Sequence, residues 1–257
     1  MNSPISRHLL VAAALAILLG ATSARAGLIH RYSFSDKGTT AKDSVGNVDA
    51  KLKGDGAKLE DGKLVIKNDE GVNSADEKLS YCEFASPILP KASGADASAS
   101  VVVWFSAKEP APYARIFNFS DAEAGEGRAF LYFTARNADD KARIGITATD
   151  AGAKTFQDLD RLDDGATHMV AVVVDGATKK LHVYVDGKEP NPAEDLGDNT
   201  LDKVRPVSNW IGRSSFDNDP GLTATIDELR VYDNALTAEQ VAAAHKAGAD
   251  TLPADKK

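Results

Sequence analysis

WIGRSSFDNDPGLTATIDELRVYD, Trp210–Asp233, is the stretch that decides how this chain reads. A short apolar strand leads into a loop rich in Ser, Asp, Asn, Pro and Gly, and a second strand follows. Side chains alternate across a strand, so Asp227, Leu229 and Val231 share one face while Ile226, Glu228, Arg230 and Tyr232 share the other. Leu229 and Val231 mark theirs as the core face. A carboxylate there costs free energy unless hydrogen bonds or a metal ion satisfy it. Asp227 is therefore expected either at a strand end, accepting backbone N–H groups, or as a metal ligand tying this strand to another segment.

Outward from this stretch the pattern stays short and β-rich. Leu28–Phe34, Leu64–Ile66, Leu79–Phe84, Ala114–Phe119, Ala129–Ala135 and Ala142–Thr149 read as strands separated by Gly, Asp, Asn and Pro. Ser100–Ala107, SVVVWFSA, is apolar on both faces and predicts a central strand covered on both sides. Met169–Val174 and Leu181–Val185 flank Asp175-Gly176-Ala177-Thr178, a hairpin signal. Many short strands at close spacing predict an all-β, two-sheet antiparallel sandwich. Only "TAEQVAAAHKAG" reads as a helix, capped by Thr237 and stopped at Gly248. Val241, Ala244 and His245 give it an apolar side, expected to pack on an edge of the sandwich.

Three segments resemble the laminin G-like jelly-roll domains of the concanavalin A-like lectin/glucanase superfamily. "LIHRYSFSD…DSVGN" is similar to the opening strand and turn, "THMVAVVVDGATKKLHVYVDGKE" to the central hairpin, and "IGRS…DP…IDELRVYDNALT" to the closing signature. They fall in the right order from Leu28 to Val241. The resemblance implies a concanavalin A-like jelly roll over residues 27–247 with one short C-terminal helix, and a flexible tail at 248–257. It also implies a structural calcium ion between the first strands and the last, with Asp43 and Asp227 as ligands and Asp36 as a third. Read from its own residues, Asp43 with Ser44 and Gly46 equally forms an Asx-turn.

Residues 1–26 read as a secretory leader: Arg7 and His8 precede the apolar run Leu9–Leu19, and Ala24-Arg25-Ala26 is a small-x-small cleavage site. The run is shorter than the roughly 20 apolar residues a membrane span needs, and none follows it. A secreted or periplasmic protein is expected, without membrane insertion. The roughly 230 remaining residues suit one all-β domain. The chain's formal net charge is −8, and losing Arg7 and Arg25 makes the remainder more negative still. That balance argues against nucleic acid and anionic membrane surfaces. The one cysteine, Cys82, permits no internal disulfide and reads as a small buried hydrophobe.

Hydrolases of the superfamily carry Glu-x-Asp-x-x-Glu, and none occurs here. The nearest pattern is Asp158-x-Asp160-x-x-Asp163, read as a solvated loop before the Thr167 strand. Asp217-Asn218-Asp219 lacks the closing Glu of a calcium loop and reads as a solvated turn, or as part of a ligand rim. His30, His168, His182 and His245 show no zinc spacing, and structural roles are expected for all four. Sugar binding remains: pyranose faces need aromatic platforms beside planar polar groups. Tyr113, Arg115, Tyr132, Arg213 and Phe216 are the candidate ligand-binding residues, with Asn118 and Arg136 nearby; Trp104 and Trp210 are expected in the core. Aromatics make up 7% of the chain, so the site must be small. The expected function is a non-catalytic module recognising glycan or an extracellular protein. The alternatives are a diverged glycoside hydrolase or lyase, or a purely structural adhesion protein.

Overall fold

The computed structural model describes residues 27–121, 129–148, 154–204 and 206–252; the leader read at 1–26 and the last five residues of the tail lie outside them. In chain order the strands are β1 Leu28–Tyr32, β2 Thr40–Ala41, β3 Ala50–Lys53, β4 Ala57–Glu60, β5 Lys63–Ile66, β6 Tyr81–Phe84, β7 Ala99–Lys108 and β8 Arg115–Ser120. They continue as β9 Phe130–Thr134, β10 Ala142–Thr147, β11 Thr155–Leu159, β12 Asp164–Asp175, β13 Lys180–Val185, β14 Glu194–Asp195, β15 Ser208–Ile211 and β16 Ala224–Tyr232, followed by helix α1, Ala238–Ala247. One sheet runs β14-β13-β12-β7-β16-β5-β4, with β1 also paired to β16. The other runs β11-β10-β9-β8-β15-β6-β3-β2. Every strand pairing is antiparallel, which makes the expected two-sheet jelly roll.

The core fills the space between the sheets. Val101, Val103 and Phe105 of β7 and Val170, Val172 and Val174 of β12 meet Phe117, Phe119, Leu131, Phe133, Ile144 and Ile146 of the second sheet. The opposite face of β7 is also buried: Val102 and Trp104 pack with Met169, Ala171, Val173, Tyr184 and Tyr232 beneath Val241 and Ala244 of α1. That accounts for a strand apolar on both sides. It also corrects two expectations about the helix. It covers the outer face of the sheet and not an edge, and His245 is exposed, with Gln240 buried in its place. Thr237 and Gln240 close a reciprocal capping box at its start.

The closing strand departs from simple alternation. β16 is bulged against β7: Ile226 faces Phe105, and the next paired residue, Glu228, faces Trp104. The extra residue is Asp227, so Ile226 joins Leu229 and Val231 in the core, and Asp227 sits outside it with its carboxylate 3.1 Å from Lys63 Nζ. The opposite face is no more exposed. Glu228 and Arg230 are wholly buried. Glu228 accepts hydrogen bonds from Arg31 Nε at 2.6 Å, Arg230 Nε at 2.7 Å and the backbone N–H of Asp250. The Arg230 guanidinium lies 4.4 Å from the centre of the Trp104 ring and donates to the carbonyls of Gly248 and Thr251. Residues 248–251, expected to be a loose tail, are thereby fastened to the sheet.

Candidate functional site

The outer face of the second sheet carries a cross-strand row. Glu83 pairs with Trp210, Trp210 with Asn118, Asn118 with Tyr132, Tyr132 with Gly145 and Gly145 with Phe156. Their chain neighbours Cys82, Ile211, Phe117, Phe119, Phe133 and Ile144 point into the core, so all six row residues face away from it. Next to this row run Arg115, Thr134, Arg143 and Asp158, also in register.

Arg115 is the centre of one cluster. Its guanidinium lies 3.9 Å from the Tyr132 ring centre, 5.7 Å from that of Tyr113 and 5.9 Å from that of Phe216. Nη2 pairs with Asp219 Oδ2 at 2.6 Å, and that oxygen also accepts from Ser214 Oγ at 2.6 Å. Phe216 stands edge-on to Phe130, with ring centres 6.1 Å apart. The loop after β15 therefore folds back over the sheet, so Asp219 is an ion-pair partner in the site and not a solvated turn residue. Asn118, fully buried, donates to Ser120 Oγ and Ser215 Oγ, while its Oδ1 accepts no hydrogen bond among the described residues. Arg115 Nε and Nη1 likewise find no acceptor among the described residues. Burial raises the pKa of the Tyr132 hydroxyl, against the lowering influence of Arg115 and Arg143, so the ring stays neutral.

A second cluster adjoins it on the same face. Arg213 lies 4.5 Å from the Trp210 ring centre and 5.0 Å from that of Tyr81, and its Nη1 donates to the Tyr81 hydroxyl at 3.0 Å. Trp210 Nε1 donates to Glu83 Oε1 at 3.4 Å. A cleft of about 320 Å³ opens here between Glu83, Ser208, Asn209, Trp210 and Arg213, with Val207 exposed at its lip. Four of the five residues singled out from the sequence thus converge around Arg115, and Arg213 belongs to the neighbouring cluster. Trp210, expected in the core, is buried on the outer face instead, while Arg136 pairs with Asp140. Asp219 takes the ligand-rim reading of its loop, whereas Tyr81, Glu83, Gly145 and Phe156 are not singled out from the sequence, because their convergence depends on strand register.

The carboxylates of Asp158-x-Asp160-x-x-Asp163 are each held by a cation. Asp158 lies on β11, not in a loop, and takes Arg143 in a two-point contact at 2.6 and 2.7 Å. Asp160 pairs with Lys141 at 2.9 Å, and Asp163 with Arg161 at 2.8 Å through both oxygens. The residues expected to bind calcium are also occupied. Asp43 accepts from His30 Nδ1 at 2.6 Å and from the backbone N–H groups of Arg31, Val45 and Val48 at 3.0, 3.0 and 3.1 Å. Burial pushes the Asp43 pKa up, but these donors outweigh it and the carboxyl ends below its ordinary value. Asp36 accepts from the Lys42 N–H. Asp43 saturated by N–H donors and Asp227 paired with an ammonium do not suit a hard cation, which needs free oxygen lone pairs. Among the described residues no group of three or more His, Cys, Asp or Glu is placed to hold a metal ion. His30, His168 and His182 each pair with an acid, and burial pushes the Cys82 thiol up to about 12, where it is inert.

The chain belongs to the concanavalin A-like lectin/glucanases superfamily: the Laminin_G_3 family model of that description matches residues 80–242. Solved structures share the fold at low identity. Domain 4 of AbnA, a GH43 extracellular arabinanase from Geobacillus stearothermophilus, in complex with arabinotriose, is 20% identical with a TM-score of 0.54, covering 84% of this chain and 97% of that one. Trypanosoma rangeli sialidase in complex with sialic acid is 16% identical with a TM-score of 0.54, over 84% of this chain and 32% of the sialidase. The binding domain of botulinum neurotoxin DC in complex with rat synaptotagmin II is 9% identical with a TM-score of 0.60, over 84% of this chain and 50% of that one. The chain therefore spans a third to a half of the last two. No curated protein sequence matches it. No helix among the described residues is long and apolar enough to cross a membrane.

Proposed function

We propose that the protein is a non-catalytic, exported recognition module that takes a glycan on the outer face of the β11–β2 sheet. The observation that carries this reading is the convergence on one face of partly exposed rings, Tyr81, Tyr113, Phe156 and Phe216, beside a cleft lined by the partly exposed Glu83 and Arg213. Ring faces suit the apolar side of a pyranose or furanose, and the Glu83 carboxylate and Arg213 guanidinium at the cleft suit its hydroxyls. The sandwich matched nearly whole by this chain, the arabinanase domain, was solved with arabinotriose, which favours a neutral oligosaccharide. The non-catalytic part rests on the acidic cluster, where every carboxylate is neutralised by Arg or Lys, unlike a retaining or inverting carboxyl pair. Export rests on the leader pattern in residues 1–26.

Isothermal titration of the leaderless protein against arabino-, xylo- and gluco-oligosaccharides tests the reading. Binding is expected for at least one, with affinity at least tenfold weaker in Arg213→Ala and Phe216→Ala, a change of about 1.4 kcal/mol or more. Absence of binding across a full glycan array removes the reading. Release of reducing ends from any of these sugars removes its non-catalytic part.

A further inference from the structure

Gly27, immediately before β1, is held tightly against the end of β16. The Asp233 N–H donates to its carbonyl at 2.8 Å. Its φ of 81° lies in the left-handed region, and a Cβ there would stand 1.8 Å from Asn234 Oδ1 and 2.7 Å from Asp233 Oδ1. That Cβ position and the backbone nitrogen share one Cα and lie about 2.5 Å apart, so the nitrogen is within about 5 Å of both oxygens.

Both oxygens are spare. Asn234 Nδ2 donates to the Ala235 carbonyl at 3.1 Å, which fixes the amide with Oδ1 toward Gly27. The Asn234 carbonyl accepts from Ser100 Oγ at 2.8 Å, and Ser100 of β7 is inaccessible. Oδ1 is itself inaccessible and receives no hydrogen bond among the described residues. Such an acceptor costs free energy until a donor meets it. Asp233 is exposed; Lys91 and Asp96 share a cleft with it, and it forms an ion pair with neither. The backbone nitrogen beside these two oxygens is the one at which the leader pattern ends, since Ala24-Arg25-Ala26 places the cut after Ala26.

We propose that Gly27 becomes the first residue of the processed chain, and that Asn234 and Asp233 form a seat for its α-ammonium. A leader peptidase hydrolyses the Ala26–Gly27 amide. The water oxygen joins the Ala26 carbonyl carbon, leaving a carboxylate; the C–N bond breaks, and both water protons end on the Gly27 nitrogen. A neutral amide with one N–H becomes a cation with three, free to turn toward the two oxygens. It donates to Asn234 Oδ1 and pairs with Asp233, so removing the leader fastens β1 to the end of β16. A side chain at position 27 would occupy the seat. The proposal rests on the leader reading of residues 1–26 and is independent of the glycan reading.

The intact mass of protein exported from cells making the full chain identifies the first residue, expected to be Gly27. Two leaderless proteins, one beginning at Gly27 and one retaining Ala26, are then compared in circular-dichroism melts. The first should melt at least about 2 °C higher. Its α-amine, followed by NMR in ¹⁵N-glycine-labelled protein, should titrate about half a pH unit or more above the ordinary value of about 7.7–8.0. Both differences should vanish in Asp233→Asn, a change at an exposed position. An exported chain beginning elsewhere overturns the leader cut and the proposal with it. With Gly27 first, equal melting temperatures or an α-amine indifferent to Asp233→Asn overturn the seat and leave the leader reading standing.

Discussion

Replacing Glu228 by Gln removes one carboxylate charge from an ionic cluster whose Glu228 and Arg230 side chains are wholly buried. The side chain is inaccessible and accepts from Arg31 Nε at 2.6 Å, from Arg230 Nε and Nη2 at 2.7 and 3.0 Å, and from the backbone of Asp250. Arg230 is also inaccessible. Gln preserves the volume, but its NH₂ faces guanidinium donors and no negative charge remains beside Arg31 and Arg230. Breaking a buried ion pair from one side costs about 3–5 kcal/mol. In a domain of this size each kcal/mol shifts the melting temperature by about 2–4 °C, so a fall of roughly 6–20 °C is expected. Circular-dichroism melts at neutral pH measure it, and amide exchange over residues 248–252 should rise in parallel as the fastened segment loosens. The pH dependence gives a second readout. Burial pushes the Glu228 carboxyl up, but Arg230 and Arg31 outweigh it and hold it below its ordinary 4.5. A depressed folded-state value means that the stabilisation is complete above about 4.5 and is lost as pH falls through the folded value. The Gln variant should lack that part of the acid sensitivity. A control with Arg31→Met, Glu228→Leu and Arg230→Met together should recover most of the loss, since apolar replacement of a whole buried ionic group is often neutral. A melting temperature within about 2 °C of wild type in Glu228→Gln would refute the buried, desolvated geometry on which the estimate rests.

Further outcomes follow from the sites described. Gly145→Ala would place a Cβ 2.6 Å from Tyr132 Cε1 and 2.9 Å from Phe156 Cε1, forcing the rings apart. A cost of about 1–3 kcal/mol is expected in a denaturant titration, together with at least tenfold weaker glycan binding as Tyr132 leaves Arg115. EDTA should leave the melting temperature unchanged, because Asp43 and Asp227 are occupied by nitrogen donors; a chelator-sensitive melt would reinstate a calcium site. For His168, burial pulls the pKa down but Asp186 and Asp164 outweigh it, so the folded value is raised. Its contribution is complete below 6.5 and fades as pH rises through the folded value. Asp186→Asn should therefore destabilise the protein more near pH 5.5 than near pH 8.5 in calorimetry, roughly one unit below and two above the free imidazole value.

What the sequence made legible was whatever a single strand encodes by itself. β7 could be placed centrally because Val101, Val103 and Phe105 alternate with Val102 and Trp104, and both sets need covering. The β12–β13 hairpin was visible because Asp175–Thr178 supplies turn chemistry between two apolar runs, and Val174 indeed pairs with Leu181. Strands with weak or mixed patterns escaped. β3 and β4 alternate Lys or Glu with Leu and Ala and resemble polar linkers, while β11 is masked by Asp158, which takes its cation from Arg143 across the strand pair. The site was half legible for the same reason. Tyr113, Arg115 and Tyr132 lie close along the chain, but Trp210, Glu83 and Phe156 reach them only through register, a relation between strands that no single segment states. Arg213 parts from them at Gly212, whose φ of 88° turns the chain so that the guanidinium meets Trp210.

The bulge at Asp227 shows how far one such relation reaches. Strict alternation puts Asp227 in the core and Ile226 outside it, and invites a metal ion to neutralise the acid. One extra residue against β7 exchanges those positions, because a shift of one reverses every side chain on its far side. The acid then meets Lys63 at the border, Ile226 enters the core, and the need for a cation disappears. Beyond the bulge alternation resumes and keeps Glu228, Arg230 and Tyr232 on the face beneath α1, where Glu228 binds Arg31 of β1 and the backbone of Asp250. β1 and the C-terminal segment are thus fixed by a carboxylate whose direction is chosen by β7. Glu228 and Arg230 thereby join the opening strand, the closing strand and residues 248–251 in one buried ionic cluster.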